Sequence, residues 1–152
     1  MARWGEFATL APEMAQAGRG LIYQFGPGLG YLATIRKDGG PRLHPFCPAI
    51  CGDGLYALIG PSPKRYDLLR DGRYAFHTFP KAGGDDEFNL MGLVRRVDDA
   101  DERAAVLEAY LASGSTSSGD EIYFELLIDR ALLSIYAHEG AWPPTYTKWR
   151  AR

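Results

Sequence analysis

Covalent and metal-binding staples are scarce in this chain of 152 residues, which has only two cysteines and three histidines. Cys47 and Cys51 are separated by Pro-Ala-Ile. On one regular strand they would share a face yet lie too far apart along it to bond. Two thiols do not make a zinc site, and no histidine falls at a familiar spacing from them. They read as small apolar groups of a reducing compartment, and no metal is expected. Long apolar runs are also missing: none approaches the roughly 20 residues a membrane helix needs. The first residues lack the continuous apolar core of a signal peptide. A cytoplasmic protein without membrane contact is expected. Charge of one sign is absent too. A net charge of −2 argues against a protein dominated by nucleic-acid binding. The one low-complexity stretch, SGSTSSG at 113–119, is too short to link domains, so residues 1–152 should form a single domain.

What is present is β-forming sequence with turns at short intervals. Residues 31–35 (YLATI), 41–50, 55–59 and 73–79 read as four strands. Lys37-Asp38-Gly39-Gly40 and Gly52-Asp53-Gly54 are the tight turns between the first three. Pro45 and Pro48 place the second strand at an edge or bulge, because a proline cannot donate to a ladder. A fifth strand is expected over 87–97 and one or two more over 121–136, interrupted near 130–133. Such runs curl into a small barrel rather than stay flat and exposed. Residues 7–24 carry Leu10, Met14, Ala17 and Leu21 at helical spacing, with Gly18 and Gly20 weakening the second half, so one helix and then an irregular turn are expected. A second helix should follow the acids at 98–102. The glycines at 26–30 do not form a dinucleotide loop, since a helix precedes them and a strand follows, the reverse of what that loop needs. The tail, residues 142–150, is aromatic, proline-rich and basic, and should dock on the body.

The cations are unevenly placed. Residues 1–80 hold nine Lys/Arg against six Asp/Glu, while residues 81–152 hold eight against thirteen. Ser62-Pro63-Lys64-Arg65 opens a short helix directly after a strand, with Pro63 at the favoured first position. Free backbone N–H groups, a hydroxyl and two cations there would hold a phosphate. Arg42 begins the strand that pairs with 55–59 and reaches the same end. Tyr31, Phe46, Tyr56 and Phe76 are spaced to line a ring-binding face. The barrel is therefore expected to bind a phosphorylated small molecule. Among the histidines, His44 lies on the strand facing that ligand, while His77 reads as a core or interface residue.

These segments resemble the flavin-binding split barrels related to pyridoxamine 5′-phosphate oxidase. The resemblance rests on YLATIRKDGGPRLHPF, on LYALI leading into SPKRYDLLRDGRYAFHTFP, and on EFNLMGLVRRVDD, with Trp149-Arg150 in the tail. It implies a mainly β fold with flanking helices, a six-stranded antiparallel split β-barrel. It also implies a homodimer binding FMN, or a deazaflavin, in a groove between subunits, and a flavin-dependent oxidoreductase with no assigned substrate. A non-catalytic flavin or haem binder is the alternative. By resemblance, Arg42 and Lys64 hold the phosphate with help from Ser62 and Arg65. The strand backbone at Leu43, His44, Pro45 and Phe46 lies against the ring. Asn89 reaches the ring or phosphate from the partner subunit, and Trp149 in the tail either lies against the cofactor or packs on the outer barrel. The sequence departs from the oxidase at Pro63, which stands in place of an arginine, and in a tail that echoes the oxidase's substrate-binding segment only loosely.

Overall fold

The computed structural model describes residues 1–152, with twelve regular elements. Strands are β1 (Gly30–Ile35), β2 (Pro41–Phe46), β3 (Pro48–Cys51), β4 (Gly54–Ile59), β5 (Arg73–Thr78), β6 (Glu87–Arg96), β7 (Ile122–Ile135) and β8 (Thr145–Arg150). Helices are α1 (Trp4–Leu10), α2 (Pro12–Ile22), α3 (Pro63–Arg70) and α4 (Ala100–Ala112). All strands belong to one antiparallel sheet in the order β2-β1-β5-β6-β7-β4-β3, with β8 also on β7. The strands at the two ends of that path, β2 and β3, are joined through Cys47 alone. A sheet whose opposite ends are one residue apart in the chain must curl back on itself. Because β2 and β3 do not pair, the barrel is split there, and Pro45 and Pro48 remove donors on either side of the seam.

The expected mainly β split barrel is thus the fold, but with eight strands where six were expected. The single run expected over 41–50 divides at Cys47, and the tail adds β8. The interruption expected near 130–133 does not occur. β7 runs through all 14 residues and absorbs its irregularity as a bulge, with Met91 opposite Arg130 and Gly92 opposite Ile128. A Cβ at Gly92 would stand 1.8 Å from the Leu127 carbonyl, so this bulge requires glycine. Along its second edge β7 pairs first with β4, then bridges Ala2 at Ile128, then pairs with β8.

The helix expected over 7–24 is two. Pro12 cannot continue α1 and instead opens α2 at its first turn. Gly18 does not weaken α2. It is buried, and a Cβ there would come within 2.6 Å of the Phe88 ring, so its absence lets the helix reach the sheet. Phe7, Met14 and Ile22 plug the barrel against Leu32, Phe76, Phe88, Phe124 and Ile128, all but Met14 fully buried. Each such side chain contributes about 1.5–3 kcal/mol by leaving water. Helix α4, capped where the Asp99 carboxylate accepts from the Glu102 N–H at 2.8 Å, covers a second cluster of Tyr56, Leu58, Val106, Tyr110 and Tyr123.

Candidate functional site

Strand β2 alternates cleanly. Arg42, His44 and Phe46 turn one way, while Pro41, Leu43 and Pro45 turn to the exposed side. Phe46 continues into the core, edge-on to Phe76 at 5.6 Å. Arg42 and His44 stop short of it, half-buried near the start of α3.

The cations at that point differ in how free they are. Arg42 donates from Nε to Oδ2 of Asp67 at 2.7 Å, and its terminal nitrogens have no protein partner. Asp67 is only 3% exposed and also accepts from Thr34 Oγ1 (2.9 Å) and Arg70 Nη2 (3.2 Å). Burial pushes its carboxyl up, but the bonds from Arg42, Thr34 and Arg70 outweigh that and hold it below the usual range. Arg65 is fully used by the fold. Its Nε donates to the Ile59 carbonyl at 3.0 Å and its Nη2 to the Asp120 carbonyl. Ser62 Oγ donates back to the Gly60 carbonyl at 3.1 Å and does not cap α3. Lys64 is the exception. It is half-buried, forms no ion pair, and burial lowers its pKa. Its ammonium is therefore the one cation here that has paid a desolvation cost without a counter-charge. His44 stands beside these groups. Burial lowers its pKa first, the Lys64 and Arg42 charges lower it further, and Asp67 offsets part of this.

The opposite face of the sheet carries a second group of the expected residues. Residues facing each other across successive strands form two rows. One runs Leu43, Ala33, Ala75, Met91, Arg130, Arg150; the other runs Pro45, Tyr31, His77, Asn89, Leu132, Lys148. None of these side chains is buried, and Leu43 is 64% exposed. The β2 end is apolar, with a hollow of about 560 Å³ over Tyr31, Ala33, Leu43 and Ala75. The β8 end is cationic, with a hollow of about 440 Å³ at Met91, Arg130, Lys148 and Arg150. Asn89 borders both. Like charges directly opposite one another destabilise a sheet, so Arg130 across from Arg150 has no folding rationale. Arg130 is paired with the neighbouring Asp129, but Lys148 and Arg150 have no acid partner. His77 keeps Nδ1 2.6 Å from the Thr78 carbonyl and Nε2 3.4 Å from Glu87.

The residues expected to form the site are therefore divided. Arg42, His44, Ser62 and Lys64 gather at the start of α3. Leu43, Pro45 and Asn89 lie on the outer strip. Phe46 is in the core and Arg65 braces a loop. Trp149 points inward, packing edge-on against Phe7 at 5.0 Å, because it alternates with the outward Lys148 and Arg150. Sequence reasoning missed Met91, Arg130 and Lys148. The alternation of Lys148 and Arg150 was a visible signal of one cationic face. No three His, Cys, Asp or Glu side chains converge as a metal site.

No family model matches the sequence, and no curated protein does. Solved structures do resemble it. A heme binding protein from Mycobacterium smegmatis superposes with a TM-score of 0.64 at 18% identity, over 88% of this chain and 57% of that one. A candidate pyridoxamine 5′-phosphate oxidase from Listeria innocua gives 0.62 at 15%, over 78% and 95%. The fold is that of the split barrels related to pyridoxamine 5′-phosphate oxidase. A NimC/NimA family protein from Clostridium acetobutylicum also shares it, with a TM-score of 0.60 at 20% identity over 90% and 94% of the two chains. The chain thus spans little more than half of the mycobacterial protein and nearly all of the clostridial one.

Proposed function

We propose that this protein is a flavin-dependent oxidoreductase that binds FMN non-covalently between two copies of the chain. The observation that carries the reading is the outer strip, apolar at β2 and cationic at β8, together with the unpaired Lys64 ammonium at the start of α3. The donor set fits a phosphorylated ring: Lys64 and the terminal nitrogens of Arg42 would hold the phosphate, and the β2 backbone would flank the ring. Asn89, Lys148 and Arg150 would line the remaining cavity. When bound, the flavin supplies the electron transfer; the chain anchors, orients and shields it. Pairing through the strip follows from its exposed Leu43, Tyr31 and Met91, which a second copy related by a two-fold axis would cover. The fold's occurrence in a candidate pyridoxamine 5′-phosphate oxidase supports the flavin reading.

The test is a fluorescence titration with FMN and with riboflavin, which lacks the phosphate. FMN should bind clearly better, and equal affinities would overturn the phosphate site. A second reading, a non-catalytic haem carrier, is favoured by the mycobacterial heme binding protein and by an imidazole, His44, with no protein partner. Absorbance spectra of the protein mixed with FMN, a deazaflavin or haem separate the ligands. Reduction of bound flavin by a reduced nicotinamide separates enzyme from carrier.

A further inference from the structure

We propose that His44 is the third cation of the anion site, acquiring its charge only when a dianionic group binds beside it. The inference rests on the phosphate-site reading and adds proton uptake to it.

Three observations meet at this residue. Alternation on β2 sets His44 on the same face as Arg42, two residues away, and within electrostatic reach of Lys64. Of the three histidines, His44 alone has no hydrogen bond to the protein: His77 has the Thr78 carbonyl and His138 the Glu139 carbonyl. The one nearby acid, Asp67 on α3, is already engaged by Arg42, Thr34 and Arg70. Strand β1 presents only Leu32 and Thr34 toward β2 here, and neither titrates. The other charged groups facing His44 are Arg42 from its own strand and Lys64 from α3, with Cys47 next to Lys64. An imidazole without a partner and within reach of two cations stays neutral in the free protein, in keeping with its depressed pKa.

A bound dianion reverses that field. Its negative charge offsets Lys64 and Arg42 and offers an acceptor to an imidazolium N–H, a charge-assisted bond stronger than the neutral one. The bound form therefore holds one more proton than the free form. By linkage, anion affinity must rise as pH falls through the window between the two His44 pKa values. A phosphate monoester blurs this, because its own second ionisation lies near pH 6 and weakens it in acid. Sulfate remains a dianion throughout and reports on the protein alone.

The experiment is an NMR pH titration of the three imidazoles in the full chain, free, with saturating sulfate, and with riboflavin as an uncharged control. His44→Gln assigns the resonance. The expected result is a His44 midpoint raised by about half to one pH unit with sulfate, equivalent to about three- to tenfold tighter sulfate binding in acid. His77 and His138 should be unmoved, and riboflavin should have no effect. In His44→Gln, sulfate affinity should lose its pH dependence. A His44 midpoint that does not move, in a protein that still prefers FMN to riboflavin, overturns the His44 proposal and leaves the phosphate site standing. Absence of both sulfate binding and FMN preference overturns the two together. A midpoint that moves equally for all three histidines also overturns the proposal, because it reports general charge rather than a site.

Discussion

Arg3 and Arg95 close on the buried carboxylate of Glu125, whereas Lys148 and Arg150 face outward with no acid beside them. Around Glu125 both carboxylate oxygens are engaged. Arg3 Nε reaches Oε1 at 2.6 Å and Arg95 Nε reaches Oε2 at 2.8 Å. Arg95 also donates to Glu102, and the Tyr56 hydroxyl donates to the same carboxylate at 2.9 Å. These groups, with Asp53, line a hollow of about 660 Å³ in which both arginines are already bonded to a carboxylate. The cationic hollow on the outer strip and the half-buried Lys64 instead hold cations without an acid partner, and such charge is what a ligand or partner can use.

Replacing Glu125 with Ala should produce the largest effect. It leaves Arg3 and Arg95 without their shared counter-ion, and a cost of about 2–4 kcal/mol is expected after allowing for their partial exposure. Urea denaturation checks this, and the folded fraction should keep its FMN affinity. A variant that loses cofactor but not stability would reverse the roles assigned to the two regions. On the outer strip, Met91→Glu puts a charge at the centre of the expected interface and should convert a dimer at micromolar concentration into a monomer by light scattering. An unchanged mass, or a wild-type monomer, would remove the shared site.

Next in size is Lys64→Ala, which should weaken FMN by about 1.5–3 kcal/mol if the phosphate bond is desolvated, with stability little changed. An unaltered affinity would make Lys64 an ordinary surface charge. Arg150→Ala relieves the like-charge pair with Arg130, so a gain of about 0.2–1 kcal/mol in stability is expected while anionic ligands bind more weakly. The smallest effect compares the two regions through pH. Asp67 in the open site and Glu102 in the closed one both have folded pKa values held below their ordinary ones. For Glu102 the bond from Arg95 is the main cause, and it outweighs burial. The stability each adds is present above the unfolded value of about 4 and is lost as pH falls through the folded value. Asp67→Asn and Glu102→Gln should each flatten the acid limb of a urea-midpoint profile, and an unchanged limb would show that the carboxylate is not coupled to folding.

Much of the first half of the barrel was legible because its signals are local. The β-forming runs at 31–35 and 55–59, the glycine turns and the Pro63 helix start depend on neighbours within a few residues. The division at Cys47 was less so, since Pro45 and Pro48 signal a break without saying that the two pieces join opposite ends of a sheet. Long-range charge partners were not legible at all. Glu125 meets Arg3 across 122 positions and Arg42 meets Asp67 across 25, and no periodicity encodes either. Trp149 shows the same limit from the other side. Its aromatic character suggested a ring contact, but its parity on β8 turns it into the core. For that reason, truncating the tail would damage folding and could not isolate a catalytic role. Substitutions at the outward Lys148 and Arg150 are the cleaner probes.

The long β7 strand also sets the order in which the chain can become a folded object. As synthesis proceeds, β1 can pair with β2 and β5, β3 with β4, and β5 with β6, before β7 exists. The second edges of β4 and β6, and the residues around Ala2, await 122–135. Closure is therefore deferred until residues 122–135 have emerged. Contacts of such long sequence separation make for slow folding. During that interval the unpaired edge of β4, with its wholly apolar LYALI run, is the segment most exposed to wrong partners. A ribosome-stalled chain ending before residue 122 should accordingly be protease-sensitive at both β4 and the N-terminal helices, and one extending past the last residue of β8 should not.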